Sequence, residues 1–234
     1  MILAAGRGER MRPLTDVTPK PLLPVGGHPL IVWLLRSLAA AGFERVVINV
    51  AHLGEQIEAE LGSGAAYGVE ICWSRELPAL ETAGGIARAL PWFDGNPFVV
   101  VNGDLWTDYD FAALRRRGLP HGRLAHLVLV DNPQHHLQGD FGLEPDVSSL
   151  SGSSVSEQAQ PRLTFSGIGC YHPDLFAEVA TSRPVPLGPL LRTAMRAGAV
   201  SGEHFRGRWH DIGTPQRMLQ LDAQLRTLGV ENGY

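Results

Sequence analysis

At 234 residues, 44% hydrophobic and 19% charged, the chain is long enough for one α/β sheet with covering helices and carries the apolar side chains for a substantial core. A net charge of −4, with no Lys/Arg block beyond Arg115–Arg117, argues against a nucleic-acid partner, and no apolar run approaches the roughly 20 residues that span a bilayer. The start shows no basic segment leading into an apolar stretch and a small-residue cleavage site, and the only cysteines, Cys72 and Cys170, sit in apolar stretches as expected of reduced thiols, so a cytoplasmic location is expected.

Residues 1–4 read as a short buried strand, short enough to expect further residues upstream, and run into the long Gly/Pro-punctuated loop AAGRGERMRPLTDVTPKPLLPV. His28-Pro29 opens a helix over 30–41, with proline at its first turn and Gly42 just past its end. A β-branched strand at 45–51, a helix at 54–62 and a strand at 69–74 follow. A loop closing on ETAGG leads to a helix at 86–90, and 98–104 is the next strand and its tip. This alternation predicts an α/β fold, a mostly parallel sheet with helices on both faces. The second half is less regular. Strands are expected at 124–131 and 164–172, an exposed hairpin or loop over the Ser/Gly/Gln-rich 147–161, and helices at 186–198 and 216–229, with Arg115–Arg117 a solvated helix end. No repeat, heptad or linker interrupts the chain, so a single domain over 1–234 is expected, its second half a substrate-binding lobe over the first.

The first segment with chemistry is LAAGRGERMRP. A strand followed by glycines lets backbone N–H groups approach an anion with no Cβ in the way. Met11 and Pro13 stand where a dinucleotide fingerprint needs a glycine and a helix, and the Walker pattern is absent. Gly6 and Gly8 alone would be an ordinary turn, but Arg10, Arg12 and Lys20 in the same segment can converge on a polyphosphate. Lys20 is the only lysine among 20 basic residues and lies between Pro19 and Pro21, which stiffen the chain on both sides. A compact ammonium fits between phosphate oxygens where a planar guanidinium does not.

Asp104 follows VVVNG at the C-terminal end of a strand, where open α/β sheets bind ligands, and Asp211 lies between a short strand and a helix start. Each is alternatively a turn-former or cap. Mg²⁺ takes one or two protein carboxylates and fills its octahedron with phosphate and water oxygens. His135-His136 has no third ligand at metal-site spacing and reads as surface, and no serine sits in a G-x-S-x-G elbow. The lack of a nucleophile–base pair is expected if the attacking group is a substrate phosphate, whose second pKa near ~6 leaves it anionic at neutral pH.

In order and spacing these residues resemble the sugar-1-phosphate nucleotidylyltransferases, and the resemblance covers nearly the whole chain. It implies the Rossmann-like nucleotide-diphospho-sugar transferase fold, with 1–123 mainly binding the nucleotide and 124–234 mainly the sugar phosphate. It implies catalytic roles for Arg12 and Lys20 on the phosphates, and a nucleotide site of Ala5, Gly6, Gly8, Glu9, Arg10, Lys20, Glu81, Ala83, Gly84 and Asn102. Glu81, Ala83 and Gly84 belong to the base segment LETAGGI and act through their backbone. Asp140, Gly142, Ser166 and Gly167 are implied at the sugar, and Asp104 and Asp211 on Mg²⁺. The partners implied are a nucleoside triphosphate and a sugar 1-phosphate, with no nucleic acid and no membrane, and a monomer is expected. Within the family, GERMRP, LETAGG, NGDLWTDYDF, LVDNP, GDFGL, TFSGI and SGEHFRGRWHDIGT resemble the members that join UTP to N-acetylmuramic acid 1-phosphate in peptidoglycan recycling. Many relatives hold the sugar phosphate with a lysine before the strand matching TFSGI; this chain has none there. Arg206 and Arg208, flanking Gly207, are candidates for the muramyl carboxylate. The alternatives are GTP with mannose 1-phosphate, UTP or dTTP with glucose 1-phosphate, and a non-catalytic nucleotide-sugar sensor.

Overall fold

The computed structural model describes residues 1–145 and 153–228. Its contacts divide the chain into two compact units whose segments interleave along the sequence: Met1–Leu80, Asn102–Ala113 and Trp209–Tyr234 form one, Glu81–Val101 and Leu114–Arg208 the other.

The first unit is built on three parallel strands, Ile2–Leu3, Arg45–Val50 and Glu70–Arg75, with Ile2 opposite Ile48 and Val46 opposite Ile71. All of 46–50 is buried, which is why that run shows no polar alternation: a parallel strand covered on both faces is apolar along nearly its whole length, and the one polar residue here, Asn49, is hydrogen-bonded. The helix Leu30–Ala40 buries seven side chains, and Gly54–Leu61 buries Ile57 and Leu61, one turn apart on one face. A core cluster of Met11, Leu23, Val25, Leu30, Trp33, Trp106, Ile212, Leu221 and Leu225 ties the loop after the first strand to the C-terminal helix. Met11 is fully buried there. The residue that breaks the dinucleotide fingerprint is therefore the anchor that pins this loop to the core. Two short antiparallel ribbons complete the unit, Pro24–Val25 with His28–Pro29, and Leu105–Thr107 with Trp209–Asp211.

The second unit carries the strand Phe98–Asn102 up to Val101, then Arg162–Tyr171, Ala125–Val130, Val200–Phe205, Ser153–Ser156 and Phe141–Pro145, hydrogen-bonded in that order. Only Val200–Phe205 runs parallel to its neighbour Ala125–Val130; the other pairings are antiparallel. The expected parallel character thus belongs to the first unit and to this one pair. The expected loop at ETAGG is a correction: the helix starts five residues earlier than residue 86 and spans Glu81–Ala89, because Glu81 turns the chain with φ +56 and the small residues behind it pack inward. Of the Ser-rich segment, Ser153–Ser156 is a strand with Val155 buried, and 147–152 lies outside the described residues. Both cysteines are free thiols, and burial pushes that of Cys170 up to about 11. Among the described residues, no helix is long and apolar enough to cross a membrane.

Candidate active site

The loop after Ile2–Leu3 begins at a fixed point, where the Ala4 N–H donates to the Asn49 side-chain oxygen at 2.8 Å. Gly8 sits in the left-handed region at φ +70, and a Cβ there would stand 3.1 Å from the Thr15 methyl and 3.3 Å from the Lys20 Cβ. The glycine therefore serves both a turn and a close approach. It lets the loop lie against the stem of Lys20, while Met11 N–H closes a turn onto the Gly8 carbonyl at 2.8 Å. Ala5 is buried, and Gly6, Glu9 and Arg10 are exposed.

Lys20 opens a 3-10 turn between its two prolines, with its side chain only 10% exposed, and its Nζ donates to the Asp104 carboxylate. Asp104 is carried by the turn after Phe98–Asn102, where Gly103 N–H donates to the Leu3 carbonyl at 2.8 Å; a Cβ on Gly103 would lie 2.6 Å from that oxygen. The Asp104 carbonyl accepts from Ile212 N–H at 2.8 Å, and the ribbon register sets Asp211 opposite Leu105. The fold thereby brings the two predicted metal carboxylates onto adjoining backbone.

Asp211 is held by Arg217, whose Nη1 lies 2.8 Å from Oδ1, both side chains being about four-fifths buried at 22% and 19% exposure. Arg217 enters from the first turn of the helix Pro215–Thr227, capped by the Thr214 hydroxyl, which accepts from Arg217 N–H at 3.3 Å. Sequence alone did not point to this residue. The usable signal was an arginine three residues after a Thr-Pro cap, where the first helical turn faces back to the preceding strand. Arg10 comes to the same place. A Cβ on Gly213 would meet Arg217 Nη2 at 1.9 Å and Arg10 Nη2 at 3.1 Å.

Arg12 stands apart from this group, with Nε 2.9 Å from Asp16 and Nη1 3.8 Å from Glu9; Arg7 also pairs with Glu9, at 3.1 Å. Arg12 and Glu9 are more than half exposed in these pairs, and such pairs are worth at most about 1 kcal/mol, so exchanging Asp16 for a phosphate costs the fold little. Asn102 ends its strand half-buried.

In the second unit, the N–H groups of Ala83 and Gly84 donate to the Val185 carbonyl at 2.9 and 3.2 Å, and Glu81 is exposed. Asp140 accepts from the Phe165 N–H at 2.8 Å through Oδ2 and lies 3.1 Å from His136 Nε2 through Oδ1. Ser166 is 1% exposed; its hydroxyl donates to the Val128 carbonyl at 2.7 Å and accepts from Ile168 N–H. Together with Gly167 at φ +80, these bonds shape the bulge where the register shifts between Phe165 and Ile168. Gly142 is required by packing, since a Cβ would fall 2.3 Å from the Ala159 carbonyl.

Chemically, the first unit offers two carboxylates on adjoining backbone, each on a cation, beside a glycine-rich loop with further arginines. Among the described residues no group of three or more His, Cys, Asp or Glu is placed to hold a metal by itself. Two carboxylates suit an ion that draws its remaining oxygens from phosphates and water, which is the habit of Mg²⁺.

The fold is that of the nucleotide-sugar transferases: it matches the solved structure of a Bacillus anthracis protein assigned as a glucose-1-phosphate thymidylyltransferase with a TM-score of 0.80, at 22% identity over 96% of this chain and 94% of that one. The chain belongs to the nucleotidyl transferase family, whose profile matches residues 1–227. Among curated relatives it is 53% identical to the N-acetylmuramate alpha-1-phosphate uridylyltransferase of Neisseria meningitidis serogroup B, over 95% of this chain and 96% of that protein. It is 33% identical to the protein of the same name from Caulobacter vibrioides, over 96% of each.

Proposed function

We propose that this chain joins UTP to N-acetylmuramic acid 1-phosphate, giving UDP-N-acetylmuramic acid and pyrophosphate, as a cytoplasmic monomer serving peptidoglycan recycling. The observation that carries the reading is the 53% identity to a protein of that activity along nearly the full length of both chains, joined to the paired Lys20–Asp104 and Asp211–Arg217 sites. A non-catalytic sensor has no need to keep both of these ion pairs.

A sugar-phosphate oxygen attacks the α-phosphorus of UTP. The new P–O bond forms as the bond from the α-phosphorus to the bridging oxygen breaks, and pyrophosphate leaves with that electron pair. The nucleophile is already anionic, so no protein base is needed; positioning and charge neutralisation carry the catalysis. Lys20 holds an α-phosphate oxygen from a rigid turn, and Arg12 and Arg10 take the outer phosphates. The loop backbone at Ala5, Gly6, Gly8 and Glu9 lines the triphosphate. The segment Glu81–Gly84, with Asn102, receives the nucleoside through its backbone, where the N–H groups of Ala83 and Gly84 are bonded to the Val185 carbonyl. Asp104 and Asp211 would hold Mg²⁺, which when bound neutralises charge on the triphosphate. Asp140, Gly142, Ser166 and Gly167 shape the sugar side through the bulge.

The test is kcat/KM with UTP for N-acetylmuramic acid 1-phosphate against N-acetylglucosamine 1-phosphate, and for GTP with mannose 1-phosphate. The two amino sugars differ by a lactyl ether whose carboxylate needs a cation. One charge-assisted contact of about 1.5–3 kcal/mol, from the exposed Arg206 or Arg208, favours the muramyl substrate by roughly 10- to 150-fold. Equal values for the amino sugars, or a win for the GTP pair, would overturn the substrate assignment and leave the reaction class standing.

A further inference from the structure

Three side chains of the first unit's core bring their chain neighbours together at one place. Met11 and Ile212 are fully buried in the core cluster, and Met218 packs against it. The residues beside them in sequence are Arg10, Gly213 and Arg217, whose backbone is thus fixed from below. Both arginine side chains reach over the glycine. The position a Gly213 Cβ would take is 1.9 Å from Arg217 Nη2 and 3.1 Å from Arg10 Nη2. The two nitrogens are therefore separated by no more than these two distances laid end to end. One oxygen accepting from both at about 2.8 Å bridges a gap of up to about 5.6 Å, so the pair is within reach of a single phosphate oxygen.

The charges at this place do not balance. Arg217 donates from Nη1 to Asp211 Oδ1 at 2.8 Å, while no described acidic side chain pairs with Arg10, which is exposed. One carboxylate serves two guanidinium groups, and the surplus positive charge favours an anion. A guanidinium carries five donors in a rigid fork, so Arg217 can hold Asp211 through one nitrogen and an anion through the other. We propose that Arg217 contacts the substrate: with Nη1 kept on Asp211, its Nη2 joins Arg10 in a two-arginine clamp on the terminal phosphate of the nucleotide. This rests on the nucleotide assignment made above and adds a residue to it. The terminal phosphate departs within pyrophosphate, which takes the electron pair of the broken bond at the α-phosphorus. The clamp neutralises charge as it builds on that leaving group and forms no covalent bond. Since the two guanidinium groups are placed by the core, inorganic pyrophosphate alone should bind, with no nucleoside, sugar or metal present.

The experiment measures the dissociation constant of inorganic pyrophosphate by calorimetry in EDTA, the KM for sugar phosphate at saturating UTP, and Tm, for Arg217→Gln, Arg10→Gln and Asp211→Asn. A residue that only orients Asp211 does nothing for pyrophosphate when metal is absent, so this binding separates the two roles. Expected are a rise of about tenfold or more in the pyrophosphate dissociation constant for R217Q and for R10Q, and none for D211N, which loses a negative charge. The sugar-phosphate KM of R217Q should stay within about threefold of wild type. Should R217Q fail to fold, Arg217→Lys, which keeps the charge but has one nitrogen to share, must show the same loss of pyrophosphate binding. Wild-type affinity in R217Q or R10Q overturns the inference, and so does an equal weakening in D211N. A wild-type chain that binds UTP with Mg²⁺ but no pyrophosphate in EDTA also overturns it and leaves the nucleotide assignment standing. If neither ligand binds, the nucleotide assignment falls and takes the inference with it.

Discussion

Replacing Lys20 with arginine keeps the charge and tests geometry alone. The lysine side chain is 10% exposed, its stem lies against Gly8, and the prolines on either side leave the turn no freedom to back away. A guanidinium is broader and planar, and placing it here forces either the Gly8 loop or Asp104 to move. It can still pair with Asp104, so the fold is expected to persist, with Tm within a few degrees of wild type. What the variant forfeits is an interaction with the charge that builds at the α-phosphate in the transition state. By analogy with a single oxyanion donor it is worth about 2.7–4 kcal/mol, or about 10²–10³ in kcat, with a smaller change in KM for UTP. The assay is pyrophosphate release at saturating substrates, with a thermal melt on the same samples. A Lys20→Arg enzyme with wild-type kcat would refute the reasoning, and the single lysine would be a compositional accident. A Tm collapse in parallel with kcat would instead assign Lys20 to the fold.

Asp104→Asn and Asp211→Asn should each lower turnover by orders of magnitude with the fold intact, and EDTA should abolish wild-type activity until Mg²⁺ is added; near-normal turnover in either variant removes that residue from the metal site. Gly213→Ala should behave as an Asp211 orientation variant, because its methyl would displace the Arg217 guanidinium from 1.9 Å away. Its half-saturating Mg²⁺ should rise several-fold while KM for sugar phosphate stays put, and an unchanged Mg²⁺ titration contradicts the Arg217 role. Met11→Ala empties a fully buried site in the cluster that pins the loop, so unfolding should show a loss of about 2–5 kcal/mol in denaturant titration.

Fold legibility followed periodicity. The apolar strands at 45–50 and 98–102 and the helix Leu30–Ala40 bury what their patterns predict, since local propensity and tertiary burial agree there. The strands Phe141–Pro145 and Val200–Phe205 were not legible, because VSGEHF and FGLEP are short and half-polar. They are strands because neighbouring strands supply the hydrogen bonds, a tertiary cause that sequence does not display. The same holds for the direction of pairing: buried strands read alike whether parallel or antiparallel.

The candidate site divides along a similar line. Lys20 was singled out in the sequence by its singularity, and Asp104 and Asp211 by strand-end position together with the family resemblance; the structure sets Lys20 on Asp104 and brings Asp211 onto adjoining backbone. Arg217 was not, since it holds another residue of the site, and a charged residue on its own reads as a solvated charge. Glu76 shows the point most sharply: within SRELP the residue that sequence would bury is Leu77, and the structure exposes it and buries the glutamate. The reason is that two segments beginning at Ala4 and Leu80 leave backbone N–H groups inside the core, and only a buried acceptor can satisfy them. A fold that must end two loops at one buried place needs a polar residue there. What gives it away is a buried carboxylate resting on an amide and a backbone N–H, a signal that exists only once the chain is folded.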